Sequence, residues 1–106
     1  MGVITQTSKL SQVDISYATN KKISNLTISS PATETSFPLT DGLKALTIRS
    51  RDIAKLQLSF TSGESGTKYI TISKGSVFHQ DYIDFSSTTI YLQADKATTV
   101  EILELY

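Results

Sequence analysis

The chain has 106 residues, a net charge of zero, no cysteine and no tryptophan. This length fits a single domain, and the 39% hydrophobic and 19% charged fractions exclude both a disordered chain and a membrane-embedded one. The lack of cysteine excludes disulfides and thiolate metal sites, and the balanced charge predicts no nucleic-acid partner.

Residues 1–20 predict either a first hairpin or an extended arm that folds on a partner. Val13, Ile15 and Tyr17 alternate with polar residues, which is the pattern of a short strand. Met1–Leu10 lacks the basic start and the apolar run of a secretion signal. We therefore expect synthesis without an export signal.

Residues 21–33 predict one strand followed by a break. The apolar alternation slips between Ile23 and Leu26, which predicts a bulge or a late strand start. Pro31 lies among small polar residues and cannot continue a strand ladder. We therefore predict an N-terminal arm or extra strands over residues 1–33, and a compact β-sandwich unit over residues 34–106, within a single domain overall.

Residues 35–60 predict an edge strand and then two core strands. Pro38 cannot donate a backbone hydrogen bond, so the strand at 35–40 belongs at a sheet edge, and Asp41-Gly42 forms the turn after it. In the segment 43–60, apolar and polar residues alternate in two successive runs, which predicts two half-buried strands joined by a charged turn. The side chains that we place in the core are Leu46, Ile48, Leu56, Leu58 and Phe60.

Residues 61–106 predict a flexible polar loop at 61–67 and four more short strands. Their apolar residues alternate around Ile70, Val77–Ile83, Ile90 and Val100, with a pattern shift at Leu103 that predicts a bulge or two covered faces. Strands recur about every 8–12 residues and no window favours a long helix. The sequence therefore predicts an all-β fold: an antiparallel β-sandwich, jelly-roll-like or immunoglobulin-like, of about seven to nine strands.

Residue types that carry catalysis or bind metals are sparse. His79 is the single histidine, and the chain has no Gly-x-Ser-x-Gly elbow to supply a nucleophile. Asp81 and Asp84 have no EF-hand spacing, and we interpret them as solvated acids at a strand end. We therefore predict no enzymatic activity, no cofactor and no metal.

Five residues are candidates for a protein interface. Arg49, Arg51 and Asp52 lie in the charged turn between the two core strands, where arginines can bridge to carboxylates of a neighbouring chain or pair within the domain. Tyr69 and Tyr91 are opposite in parity to the apolar residues of their strands, so we expect them to face outward. Outward tyrosines suit either a protein interface or the apolar face of a sugar.

Several patterned strands resemble the small β-sandwich virion structural proteins of tailed bacteriophages. The resemblance rests on an arginine-bearing strand, an Ile-Thr-Ile hairpin and a closing Val-Glu-Ile strand, in that order. The segments that carry it are Thr35–Leu39, Leu46–Arg51, Leu56–Gly63, Tyr69–Ser76, Thr89–Ala94 and Val100–Glu104. It covers about residues 34–106 and implies no catalytic residue.

The resemblance implies a non-enzymatic subunit of a phage particle, made in the cytoplasm of the bacterial host. Such a subunit would be a capsid decoration or cement protein, or a head–tail or tail accessory component. Its partners would be other virion proteins, namely major capsid or tail and connector subunits, and we expect a homo-oligomer with no membrane partner. The alternative is a carbohydrate- or receptor-binding β-sandwich module.

Overall fold

A computed structural model describes residues 18–106, which contain eight β-strands and no helix. The strands are β1 (Lys21–Ile28), β2 (Thr35–Pro38), β3 (Ala45–Ser50), β4 (Leu56–Ser59), β5 (Ile70–Ile72), β6 (Phe78–Gln80), β7 (Thr89–Ala94) and β8 (Thr98–Leu105). The prediction for Val13, Ile15 and Tyr17 lies outside the described residues. Within residues 18–106, no helix could span a membrane.

The strands form two four-stranded antiparallel sheets, which confirms the predicted β-sandwich. The first sheet has the order β1-β8-β3-β6, and the second has the order β2-β7-β4-β5. The pairs β1:β8, β2:β7, β3:β6 and β4:β5 are nested, as in one long hairpin folded over on itself. This nesting is the topology of a jelly roll, not of the immunoglobulin fold.

The core lies between the sheets and is built by strict alternation along each strand. In β7 and β8 every second side chain is buried, and the residues between them are only partly buried. This is the period of a strand with one face turned to the core. The largest buried apolar side chains are Ile28, Leu43, Leu46, Ile48, Leu56, Leu58, Ile90, Leu92, Val100 and Ile102.

The placement of Phe60 in the core is wrong, because its side chain is 45% exposed. β4 ends at Ser59, so Phe60 lies beyond the ladder at the rim of the sandwich. There its ring packs edge-on against Phe85, with centroids 6.0 Å apart. A Phe60→Ala change therefore removes a rim contact, which is a smaller loss than the removal of a fully buried ring.

Neither the bulge nor the late strand start that we offered for Ile23 is present, because β1 starts at Lys21, and of the two alternatives at Leu103 the bulge is absent from the register. β1 and β8 pair without interruption from Lys21↔Leu105 to Ile28↔Thr98. Ile23 and Leu103 simply face the outer side of the sheet, while Glu104 takes an inward position and is fully buried. The alternation was disturbed by apolar residues on the outer face and by a charged residue on the inner one.

The sheet edges agree with the prediction at β2. β2, which contains Pro38, is an edge strand, as its missing donor requires. The C-terminal strand, β8, lies in the interior of the first sheet between β1 and β3, and β1 forms the edge on that side.

The break at Pro31 is the crossover between the two sheets. β1 precedes it in the first sheet and β2 follows it in the second. Ile28, at the end of β1, is 1% exposed and belongs to the same core as the later strands. The sandwich therefore includes residues 21–28 as well as the strands after residue 34.

Candidate functional site

The outer face of the first sheet carries an open, mostly apolar groove of about 390 Å³. Leu103 on β8 lies in it between Ile23 of β1 and Thr47 of β3, its two ladder partners. Ile23 is 73% exposed and Val77, just before β6, is 52% exposed. We call the following lining residues the outer-face groove: Ile23, Thr47, Arg49, Val77, Glu101 and Leu103.

Arg49 and Arg51 converge on one carboxylate at the end of this groove. The Nε of Arg49 donates to Oε1 of Glu101 at 2.6 Å, and the Nε of Arg51 donates to Oε2 at 3.0 Å. Arg51 Nη2 also donates to Oδ1 of Asn25 at 3.2 Å. The bond from Arg49 first, and that from Arg51 second, hold the pKa of Glu101 below its usual value. Two guanidinium groups share one carboxylate, which leaves one positive charge at the end of the groove.

The register explains why these side chains meet. Glu101 is the ladder partner of Asn25 on one side and of Arg49 on the other. Arg51 follows the end of β3, and its backbone N–H donates to the carbonyl of Thr99 at 2.8 Å. Three neighbouring strands therefore present one row of polar groups on the outer face.

Asp52 is separated from the arginine pair. Its Oδ2 accepts a hydrogen bond from Oγ1 of Thr98 at 3.2 Å, at the start of β8. The next residue, Ile53, is exposed and has a φ of 54°. A β-branched residue in this left-handed region is strained, so the turn after Arg51 presents an apolar side chain at an energetic cost.

Thr47, His79 and Asp81 form a hydrogen-bonded chain beside the groove. Thr47 Oγ1 lies 2.7 Å from Nδ1 of His79, and Nε2 of His79 lies 2.9 Å from Oδ1 of Asp81. A hydroxyl, an imidazole and a carboxylate in this order are the groups of a hydrolase triad. Here the imidazole and the carboxylate are half-exposed on an edge strand, so water screens both. We interpret these hydrogen bonds as a surface link between β3 and β6.

The two candidate tyrosines lie on the other sheet, away from the arginines. Tyr91 on β7 is opposite Ser59 of β4 and faces outward. Tyr69 precedes β5, whose Ile70 is opposite Leu58, so continuation of the register brings Tyr69 to the other side of Ser59. The arginine pair and the tyrosine pair therefore lie on opposite faces of the sandwich, and Asp52 lies apart from both in the turn after β3.

The loop at 61–67 is anchored onto the second sheet by Glu34. Oε2 of Glu34 accepts from the Gly63 N–H at 2.8 Å, and Oε1 accepts from the N–H and the Oγ of Ser65 at 3.1 and 2.6 Å. Ser65 Oγ also lies 3.0 Å from Oε1 of Gln93, and Ser65 is fully buried. The Ser65 hydroxyl and the two backbone N–H groups hold the pKa of Glu34 below its usual value. These contacts fasten the middle of the loop, for which we expected flexibility, to the residue just before β2.

Sequence reasoning missed most of the groove. Ile23, Val77 and Leu103 were interpreted as core or irregular residues, and Glu101 received no role. The signal for Leu103 was available: inward residues of β8 alternate with it, so an apolar residue at that position faces outward. Nothing in the sequence alone indicates which strands lie beside β8.

Within residues 18–106, no group of three or more His, Asp or Glu side chains is arranged to hold a metal ion.

Comparisons with known proteins identified no relative of this chain. No protein-family model, no curated protein and no solved structure matches the chain.

Proposed function

We propose that this chain is a non-enzymatic structural protein of a bacteriophage particle. In this proposal it is a capsid decoration or cement subunit, or a head–tail accessory subunit, that acts through protein–protein surfaces. It would be made in the host cytoplasm and would stay on the virion. The observation that carries the proposal is the outer-face groove, and the strand pattern described above links it to virion proteins.

The composition of the groove suits a protein partner. Ile23, Val77 and Leu103 form an exposed apolar floor, and Arg49 with Glu101 supplies a charged end. Interfaces commonly combine an apolar centre with a polar rim that includes arginine. Because Arg49 and Arg51 together carry one more charge than the Glu101 carboxylate that they share, an acidic side chain of the partner fits this end of the groove.

The topology agrees with the proposal without being specific to it. Jelly rolls occur in viral capsid proteins, and they also occur in lectins and cupins. Fold alone therefore does not decide the function, and the argument depends on the surface.

Particle binding tests the proposal, with Val77→Asp as the groove variant. The purified chain should co-sediment with particles assembled without it, and Val77→Asp should weaken this binding at least about tenfold, since it places a charge in the apolar part of the contact. Ile70→Asp is the matched control, because Ile70 is 50% exposed but lies on β5 of the other sheet. Failure of the wild-type chain to bind, or equal loss in both variants, would contradict the proposal.

A carbohydrate-binding role is the second candidate, and the outward tyrosines favour it. Tyr69 and Tyr91 lie on either side of β4, which separates their backbones by about 10 Å, or two strand spacings. Aromatic rings at such a spacing can stack on a sugar chain. Binding to a glycan array that disappears in the Tyr69→Ala, Tyr91→Ala double variant would support this role, whereas an array without binding would exclude it.

A further inference from the structure

β1 is the long open edge of the sandwich. It has eight residues without proline or glycine, and within residues 18–106 only β8 pairs with it. The other edges are short or protected, because β5 and β6 have three residues each and β2 contains Pro38. An edge of this length is a template for another strand, and its two lysines at one end are its only charged residues.

The backbone hydrogen bonds just before β1 show which N–H and C=O groups of β1 point away from β8. Asn20 and Tyr106 exchange two backbone hydrogen bonds, of 2.7 and 3.0 Å, in register with the β1:β8 ladder. Hydrogen-bonded and non-hydrogen-bonded pairs alternate in an antiparallel ladder, so the even-numbered residues of β1 bond to β8. The residues whose N–H and C=O groups point to the open side are therefore Lys21, Ile23, Asn25 and Thr27.

We infer that two copies of this chain pair antiparallel through β1, about a two-fold axis at Ser24. In that register Ile23 bonds to Asn25 of the second copy, and Lys21 bonds to Thr27. All four outward residues of each strand find partners, so the two sheets become one eight-stranded sheet. The inference gives the expected homo-oligomer a definite contact and rests on that part of the proposed function, while its test needs no particle.

The charges of β1 permit this register. Lys21 and Lys22 lie opposite Thr27 and Leu26 of the second copy, so no lysine faces a lysine. The two Lys21 residues are about 20 Å apart, six residues along the strand, which exceeds the Debye length of about 8 Å at physiological salt. Lys22, which points inward, also lies 3.8 Å from Glu104 of its own chain. Repulsion between the two basic strand ends is therefore largely screened.

The side chains on the outer face add an apolar contact. Ile23 is 73% exposed in the single chain. In the paired register it neighbours its own copy diagonally, within reach of a large side chain. A second copy thus covers the apolar side chain that β1 exposes most, while the Arg49 end of the groove, two strands away, stays open.

Disulfide trapping of Ser24→Cys tests the register directly. The chain has no cysteine, so a single introduced thiol gives an unambiguous result. The two Ser24 residues form a non-hydrogen-bonded pair with Cα atoms about 4.5 Å apart, within disulfide range. Thr27→Cys is the control on the same strand, because its two copies would be about 20 Å apart. Ser24→Cys should cross-link at least about tenfold faster, since only its sulfurs can meet.

A proline variant tests the same contact without a covalent cross-link. Thr27→Pro removes an N–H that points away from β8, and proline is tolerated at such edge positions. Sedimentation should show a concentration-dependent wild-type dimer whose dissociation constant rises about tenfold in Thr27→Pro, because two hydrogen bonds are lost per dimer. Thr27→Ala should dimerise like the wild type. A wild-type chain that stays monomeric at all concentrations would overturn the inference. The discovery that residues 1–17 or a strand of another protein pairs with the free edge of β1 would overturn it as well. So would equal cross-linking of both cysteine variants.

Discussion

Ile53 combines an exposed apolar side chain with a left-handed backbone. A β-branched residue in this region costs about 1–2 kcal/mol, whereas glycine adopts it freely but loses more chain entropy on folding. Ile53→Gly should therefore raise the free energy of unfolding by roughly 0.5–1 kcal/mol, measured by urea denaturation.

Gly42→Ala is the matched control for that change. Gly42 has a φ of 79°, and an added Cβ would meet no atom within 4 Å, so only the backbone is penalised. The free energy of unfolding of the Gly42→Ala variant should fall by about 1 kcal/mol. A loss of stability in Ile53→Gly as well would mean that the Ile53 side chain makes a contact worth more than its strain.

Glu104 is a fully buried carboxylate with one oxygen that accepts no hydrogen bond. Oε2 accepts from the Thr40 N–H at 2.6 Å, whereas within residues 18–106 Oε1 has only a long ion pair of 3.8 Å with the half-exposed Lys22 Nζ. Glu104→Gln keeps an acceptor for Thr40 and removes the buried charge, so the unfolding free energy should stay unchanged or rise by about 1 kcal/mol. Glu104→Ala should lower it by at least about 1–3 kcal/mol, because the Thr40 N–H loses its partner. Equal losses in both variants would show that the charge itself is needed.

At the residue scale, alternation located most of the core and failed where a strand ends. Leu46, Ile48, Leu56 and Leu58 are buried as predicted. Phe60 continues their parity but follows the last residue of β4, and parity carries no information about where a ladder stops.

At the element scale, Glu34 links the polar loop at 61–67 to the start of β2 through three hydrogen bonds. Its lowered pKa means that the carboxylate form is favoured in the folded chain, so its contribution to stability is present above pH 4.5 and is lost as the pH falls through the folded pKa. Glu34→Gln should therefore destabilise the chain at pH 7, and the difference from the wild type should shrink below pH 4.5.

Glu64→Gln is the control for the loop. Glu64 lies in the same segment, and its side chain makes no hydrogen bond or ion pair within the described part of the chain. Urea denaturation at pH 7 and pH 3 should show a pH-dependent difference for Glu34→Gln and none for Glu64→Gln. A Glu34→Gln difference that grows toward acid pH would have the opposite sign to that required by a lowered pKa.

The strands themselves were more predictable than their neighbours. Pro38 identified β2 as an edge from one missing donor. The interior position of β8 depends on β1 pairing with its far side, a contact across most of the chain length. Local pattern contains no such long-range information, which is why the outer-face groove could not be assembled from the sequence.

At the scale of the whole molecule, the two sheets present different surfaces. The second sheet is partly covered by the loop at 61–67, whereas the first sheet exposes the groove and the free edge of β1. We therefore assign the proposed assembly contacts to the first sheet. The sequence predicted a sandwich, but only the nested strand pairs identify the jelly roll.

The most direct measurement is an electron cryomicroscopy map of phage particles mixed with the purified chain. We expect copies on the particle whose contact with the neighbouring virion subunit includes Val77, Leu103 and the Arg49–Glu101 pair. The second sheet, with Tyr69 and Tyr91, would face away from that subunit. A contact made only through the tyrosine face, or a particle without any copy of the chain, would contradict the account.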